Sequence, residues 1–409
     1  MSSSAKKVIK KSTTKYRSKK PIVPKWKLFR ASEPFMSVFM WGINHSICEL
    51  SHVPPPTLLL PDDFKAFSKV KIDNHAFNKD NMPSHFKIKE YCPNVFRNLR
   101  EKFGIQEHDY LKSLTKSQPE VMESSGKSQA KFYFSYDGSL VVKSLCAEEV
   151  AEVHSILQDY HEYVVEKGGQ TLLPQFLGLY RLTVENVETY LIVMRNIFGQ
   201  RYNIHKKYDL KGSTVQRCAS DKEKQKDLPT YKDMDFIDDG CKLYLPEDAG
   251  KTLVKLLTAD CEFLSKLRLM DYSVLVGIHE CAKSPPPAAT APGDEVFGVS
   301  GGGDSSEPDV ASLNMSDDDL GCGDAPKREI YFIGLVDILT YYGMKKKTAS
   351  AAKTVKYGAA EAENISTVKP HQYARRLIDF MTKSIDPQPT ILVIDQQQIN
   401  NDQQPPLSP

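Results

Sequence analysis

The sequence predicts an α+β fold in two lobes, on three observations. Lys131–Tyr136 and Ser139–Leu145 are rich in aromatic and β-branched residues and flank Asp137-Gly138, a strong hairpin turn signal. That hairpin feeds directly into a helix over Glu148–Val165, with Val150, Val153, Ile156, Leu157 and Tyr160 on one stripe. Strand patterns dominate the first half of the 409 residues, and helical patterns the second.

Residues 1–30 carry eleven Lys or Arg and no acid, with no hydrophobic periodicity, and read as a disordered basic arm. Solubility, a nuclear signal and contact with anionic lipid are all open roles for it. Phe35, Val38, Phe39, Ile43, Ile47 and Leu50 have helical spacing, and Pro54-Pro55-Pro56 breaks the helix. Residues 57–102 mix strand-like pieces, such as Phe64–Ile72, with many basic residues; Pro93–Phe103 predicts a short helix. After the hairpin and its helix, Gly168-Gly169 marks a stop. Phe176–Val184 and Glu188–Met194 predict two further strands, Leu253–Leu269 a long amphipathic helix, and Gln372–Met381 another.

Residues 281–326 carry nine acids and one Lys, with Ser-Pro-Pro-Pro, three consecutive Gly and three consecutive Asp. Such a composition buries too little apolar area to offset chain entropy, so it predicts a disordered acidic insert. The domain expectation is therefore a basic arm over 1–30, an N-terminal lobe over 31–195, a C-terminal lobe over 196–385 interrupted by the insert at 281–326, and a flexible tail over 386–409.

A hydrophobic share of 40% and a charged share of 26% fit a soluble globular protein. The longest apolar runs, Tyr190–Met194 and Tyr331–Val336, fall far short of the about 20 residues of a membrane span. No signal peptide is expected, because the charged N-terminus lacks an apolar core. Eight cysteines scattered without Cys-x-x-Cys point to a reducing compartment and argue against a disulfide framework or structural zinc.

Two aspartates at the ends of apolar runs are the first candidates for chemistry: Asp271 in Met-Asp-Tyr-Ser and Asp337 in Leu-Val-Asp-Ile. With the soft insert removed, roughly 20 positions separate them, close to the spacing of catalytic and metal-binding aspartates in kinases. A turn cap after a strand is the plain alternative for either. Lys143 lies late in a strand before a helix, where a kinase lysine would hold nucleotide phosphates. A surface lysine on an edge strand is equally compatible. Glu148, Glu149 and Glu152 open the next helix; a pairing with Lys143 and a helix-dipole role both stay open. Ser124–Ser128 is a small polar stretch with one glycine, and it does not make a Walker A motif. Arg195, Asn196 and Ile197 follow a strand where a linker between lobes would meet a nucleotide base. His205–Ser213 reads as a basic turn, or as a phosphate-binding loop through its lysines, Gly212 and Ser213, with Arg217 adding a forked donor.

Lys206–Thr214 (Lys-Lys-Tyr-Asp-Leu-Lys-Gly-Ser-Thr), Ser220–Lys224, Met270–Ser273 and Val336–Thr340 resemble the signatures of phosphatidylinositol phosphate kinases. Leu28–Pro34, Pro61–Lys65 and Glu90–Pro93 resemble the type II branch, the phosphatidylinositol 5-phosphate 4-kinases. The resemblance runs from about Lys27 to Met381 outside the insert.

It implies a two-lobed, distantly protein-kinase-like fold, with an antiparallel sheet in the N-lobe and a mixed α/β C-lobe. It also implies transfer of the ATP γ-phosphate to the 4-hydroxyl of phosphatidylinositol 5-phosphate, with Mg²⁺ and with GTP open as a second nucleotide. On this resemblance Lys143 contacts nucleotide phosphates, Arg195, Asn196 and Ile197 lie along the base, Asp271 is the catalytic aspartate and Asp337 the metal ligand. Lys207, Asp209, Lys211 and Arg217 line the place where nucleotide and inositol phosphate meet. Lys345, Lys346 and Lys347 open an activation and specificity loop over 338–368, and Ala349 stands where the 5-kinases carry Glu.

The implied partners are an anionic membrane surface, a phosphoinositide lipid, a second copy of the chain and related phosphoinositide kinases, with no nucleic acid. The implied location is cytoplasmic and peripheral on membranes, with the nucleus open. Lys65, Lys69, Lys71, Lys79, Lys87, Lys89, Arg97 and Arg100 are candidates for a flat basic face. Two positions depart from the family pattern. Gln129 replaces a second glycine, and Met194 resembles the weakly active type II member. They motivate an alternative, a weak enzyme acting as a membrane scaffold for related kinases. A protein kinase fits poorly, for His-Arg-Asp, Asp-Phe-Gly and Ala-Pro-Glu are all missing.

Overall fold

The computed structural model describes residues 31–73, 82–122, 130–199, 201–283, 329–343 and 368–388. The expectations for the arm, Ser124–Ser128, Gln129 and Lys79, for all but the first three residues of the acidic insert, for Lys345, Lys346, Lys347 and Ala349, and for the tail beyond Gln388 lie outside those residues.

Helix α1 (Pro34–Ser51) opens with proline in its first turn, where the missing N–H costs nothing, and buries Val38, Phe39, Ile43 and Ile47. Strands β1 (Phe67–Ile72) and β2 (Phe86–Tyr91) precede α2 (Pro93–Lys102) and α3 (Glu107–Thr115). Then come β3 (Glu120–Met122), β4 (Phe132–Phe134), β5 (Leu140–Leu145), α4 (Ala147–Glu166), β6 (Phe176–Val184) and β7 (Val187–Arg195). The seven strands form one antiparallel sheet in the order β1-β2-β6-β7-β5-β4-β3. Its hairpin β4–β5 turns at Asp137-Gly138, as the sequence predicts. The Asp137 carboxylate accepts from the hydroxyls of Ser113, Ser135 and Ser139, which locks the turn. Helix α4 ends where Gly168 and Gly169 take φ of 59° and 80°.

The second half is β8 (Lys206–Leu210), α5 (Asp221–Lys224), β9 (Thr230–Tyr231), α6 (Asp233–Asp238), β10 (Leu243–Pro246), α7 (Glu247–Lys266), β11 (Ser273–Glu280), β12 (Glu329–Val336), α8 (Pro370–Ser384) and β13 (Ile385–Gln388). A four-stranded mixed sheet runs β12-β11-β8-β9, with β8 and β9 parallel, and β10 pairs in parallel with β13. No helix among the described residues is long and apolar enough to cross a membrane.

Four expectations are corrected. The second half is not mainly helical, since six strands run through it. Lys206–Leu210 is a strand rather than a turn, because Tyr208 and Leu210 are fully buried on one face while Lys207 and Asp209 alternate to the other. The helix expected over Leu253–Leu269 starts at Glu247 and stops at Lys266, where Arg268 reverses the chain with φ of 60°. Asp386–Gln388 is paired strand rather than loose tail, held by Tyr244–Pro246.

Arg100 is also removed from the candidate basic face. It is 0% exposed, donates to both carboxylate oxygens of Glu107 and to the Leu177 carbonyl, and braces α2 against α3 and β6. Arg97 spends donors on the carbonyls of Leu50 and Val53.

Candidate active site

The two sheets face each other across a cavity of about 470 Å³. Val141, Lys143, Ile192 and Met194 line it from the seven-stranded sheet, and Leu275 and Gly334–Asp337 from the mixed sheet. The chain crosses between the sheets at Arg195-Asn196-Ile197, which also line the cavity. Asn196 anchors this crossing: its side-chain amide donates to the Gly138 carbonyl at 2.7 Å and its backbone N–H to Ser139 at 2.8 Å. Arg195 donates to the Phe103 carbonyl at 3.0 Å. Ile197 rests on Gly334, where a Cβ would come within 2.8 Å of its Cδ1, so a side chain there would force the Ile197 side chain to shift.

Lys143 stands 11% exposed at the cavity wall. Its Nζ lies 3.4 Å from Glu149 Oε1 and 3.2 Å from Asp337 Oδ1. Glu149 is thus the one of the three acids that pairs with Lys143, and its other oxygen accepts the Cys146 N–H at 2.9 Å and caps α4.

Asp271 and Asp337 belong to one end of one ladder. Ser273 pairs with Val336, placing Asp271 just ahead of β11 and Asp337 just after β12. Asp271 thus precedes a strand, where the sequence reading had it follow one. Lys211 reaches into this cluster and donates its ammonium to the Asp271 carbonyl. Burial lowers the Lys211 pKa, while Asp209, Asp271 and Asp337 all pull it back up, so its charge sits among three carboxylates.

Arg217 is held by Asp233 (2.7 Å) and Asp209 (3.0 Å). Burial opposes its charge, but the two carboxylates outweigh burial and raise its pKa. Asp233, fully buried and unforeseen in the sequence, also accepts the N–H groups of Lys211 and Ser213. These amides point inward, and Ser213 is 1% exposed. Those two N–H groups therefore brace the turn that carries Lys211. Acids in a first helical turn are common, so nothing in the sequence marked Asp233 out. Lys207 lies on the same face of β8 as Asp209, and its side chain makes no ion pair or hydrogen bond among the described residues. Burial lowers its pKa. Lys207, Asp209, Lys211, Arg217 and Asp271 adjoin the cavity rather than line it.

No group of three or more His, Cys, Asp or Glu able to hold a metal occurs among the described residues. The Asp337 side chain is 64% exposed, with Asp271 at the same strand end. One or two open carboxylates fit Mg²⁺, which draws its remaining ligands from nucleotide phosphate oxygens and water.

An antiparallel-sheet lobe, a mixed lobe, and a lysine-carboxylate pair across the cleft between them define a kinase-like phosphotransferase architecture. Residues 113–384 match the family model described as Phosphatidylinositol-4-phosphate 5-Kinase. The chain is 51% identical to phosphatidylinositol 5-phosphate 4-kinase type-2 alpha of Gallus gallus over 396 residues, covering 90% of this chain and 96% of the relative. The Homo sapiens type-2 alpha protein is 51% identical over 391 residues, with the same coverage. The Homo sapiens type-2 beta protein is 50% identical over 392 residues, covering 88% and 92%. The chain belongs to the phosphatidylinositol phosphate kinase family.

Proposed function

We propose that this chain is a lipid kinase that transfers the γ-phosphate of ATP to the 4-hydroxyl of phosphatidylinositol 5-phosphate, giving phosphatidylinositol 4,5-bisphosphate. The carrying observation is identity of about half over nine-tenths of the chain to relatives named as phosphatidylinositol 5-phosphate 4-kinases. The site supports it, since Lys143, Asp337, Lys211 and Asp271 converge at one strand end.

In this reading ATP lies in the cavity with its base along Arg195–Ile197. Lys143 leaves Asp337 to bind phosphate oxygens. Asp337, with Asp271 close by, holds Mg²⁺, which neutralises charge on the phosphates. Asp271 orients the attacking hydroxyl and takes its proton, and Lys211 and Lys207 draw the inositol phosphate in. The Asn196 amide is already engaged by Gly138, so backbone groups of the crossing read the base, and GTP is a competing nucleotide to be measured beside ATP.

Lys69, Lys71, Lys87 and Lys89 sit on adjacent strands β1 and β2 in register, with Arg181 beside Lys89. Their crowding, after burial, lowers the Lys89 pKa, as expected of a basic sheet face that seeks an anionic bilayer. Strand β1 is the outermost strand and largely exposed, a template for pairing with a second copy. The protein then works as a homodimer, peripheral on membranes in the cytoplasm, and associates with related kinases there. Ala349 and Lys345–Lys347 belong to the loop assigned to lipid choice.

The test is position-resolved analysis of product from 3-, 4- and 5-monophosphate lipids with ATP or GTP. Product from the 5-phosphate alone, phosphorylated at the 4-position, is expected. Phosphorylation at the 5-position would overturn the assignment. Restoration of a cellular effect by an Asp337→Asn chain would favour the scaffold reading that Met194 and Gln129 motivate.

A further inference from the structure

We infer that Tyr373, on a helix remote in sequence from the catalytic motifs, is a positioning residue that fixes the backbone carrying Asp271. The inference rests on the kinase reading above for the role of Asp271.

Tyr373 is 0% exposed on α8 and its hydroxyl donates to the carbonyl of Tyr272, the residue after Asp271. The Tyr272 and Tyr373 rings meet edge to face, 4.9 Å between centroids at 76°. Asp271 itself has φ of 63°, a conformation that a non-glycine residue keeps only where its surroundings impose it. The Met270 N–H bonds to the Thr340 carbonyl on the other side of Asp271. The turn is therefore clamped from both flanks, by the segment after β12 and by α8.

An independent contact points the same way. At Gly212 a Cβ would fall 2.8 Å from the Arg376 carbonyl oxygen and 2.9 Å from Leu377 Cα, so the backbone of α8 also presses on the turn after Lys211. Lys211 donates to the Asp271 carbonyl. One helix thus supports the catalytic aspartate and its neighbouring lysine together. Burial and then the Asp271 charge raise the Tyr373 pKa, so the hydroxyl stays protonated and remains a donor.

The test is Tyr373→Phe, which keeps the ring and removes the donor. Tyr110→Phe, which removes a buried hydroxyl bonded to Tyr180 at 3.1 Å, serves as the control. Tyr373→Phe should lower kcat by about 10- to 100-fold while the KM for ATP stays within about twofold. Amide hydrogen exchange should rise in residues 268–273. Tyr110→Phe should change neither. Unchanged exchange at 268–273 in Tyr373→Phe overturns the contact's role, whatever the activity. Faster exchange with unchanged kcat overturns the link to Asp271. Loss of ATP affinity together with kcat marks a general packing defect and also overturns it. A wild-type chain inert toward every lipid sinks the kinase reading instead, and leaves the exchange data to judge the contact.

Discussion

Asp271 and Asp337 share an uncommon backbone: both are non-glycine residues in the left-handed region, at φ of 63° and 57°, at one end of the β11–β12 ladder. Each such residue costs on the order of 1 kcal/mol. Retained at both carboxylates of this strand end, one lining the cavity and one adjoining it, this strain reads as positioning for chemistry. Asparagine tolerates the same conformation, so Asp337→Asn and Asp271→Asn should fold with nearly unchanged Tm. Each should lose at least about 100-fold in lipid phosphorylation, measured as labelled product. Wild-type turnover in either variant would remove that residue from the mechanism.

Glu149 couples the site to α4 through one oxygen on Lys143 and one on the helix cap. Glu149→Ala should lower Tm by an amount equivalent to about 1 kcal/mol from the lost cap, and should also weaken ATP binding by releasing Lys143. Glu149→Gln keeps an acceptor for the Cys146 N–H and loses the charge. It should recover Tm but not ATP affinity, as read by thermal melts and nucleotide titration. A parallel recovery of both would mean that the ion pair is incidental.

The helices α1 and α4 and the β4–β5 hairpin were legible in the sequence because their stripe and turn signals are regular, while α3 and β3, short and with little apolar pattern, were not. In α1 and α4, Phe39, Ile43, Val153 and Ile156 recur at helical spacing, and Asp137-Gly138 marks the hairpin. The second half obscured its strands. Lys206–Leu210 carries three charges in five residues, because Lys207 and Asp209 put one face of β8 toward a polar site, while Lys206, at the strand start on the face of Tyr208 and Leu210, lies 3.7 Å from Glu280. Asp386–Gln388 looked like tail because its pairing partner, β10, lies far away in sequence. At the site, the ends of apolar runs revealed Asp271 and Asp337. Tyr373 acts through a backbone carbonyl and Asp233 largely through backbone N–H groups, which leave no trace in residue type.

The joint behind the cleft rests on a buried carboxyl, so its stability should depend on pH. Asp260 on α7 accepts from Tyr163 (2.7 Å), Thr171 (2.8 Å) and the Leu172 N–H (2.6 Å), tying α7 to α4 and the loop that follows it. Burial pushes its pKa up to about 6 from 3.8, and these hydrogen bonds offset that only in part. The folded state therefore binds this proton more tightly than the unfolded chain. The associated stability is complete below about pH 4 and lost as pH rises through about 6, to a total of roughly 3 kcal/mol. Asp260→Asn, neutral throughout, should show a flatter dependence of stability on pH between about 4 and 7 in denaturant melts. Identical slopes for the two proteins would assign the pH dependence elsewhere.

Arg100 and Lys69 separate structural from surface charge. Removing the fully buried Arg100 leaves Glu107 without its bidentate partner and the buried Glu90 without a nearby cation. Arg100→Met should cost about 3–5 kcal/mol in denaturant unfolding. Lys69→Glu with Lys71→Glu changes exposed positions and should leave Tm nearly unchanged. Binding to anionic vesicles should weaken by about 1 kcal/mol or more per site, less so at high salt. Vesicle binding unaffected by both lysine changes would move the membrane face off this sheet.

Gly212 concentrates two constraints at one position. Its φ of 65° suits glycine, and the direction a Cβ would take is closed by backbone atoms of α8, which cannot swing aside as a flexible side chain can. Gly212→Ala should therefore destabilise by about 1–3 kcal/mol and lower lipid phosphorylation further than stability alone accounts for, since the displaced turn carries Lys211 off the Asp271 carbonyl. Gly240, at a similar φ of 61° but with nothing within 4 Å of a built Cβ, is the matched control. Gly240→Ala should show only the backbone cost, about 1 kcal/mol, with turnover retained. Equal effects of the two substitutions on turnover would show that α8 does not support the Lys211 turn.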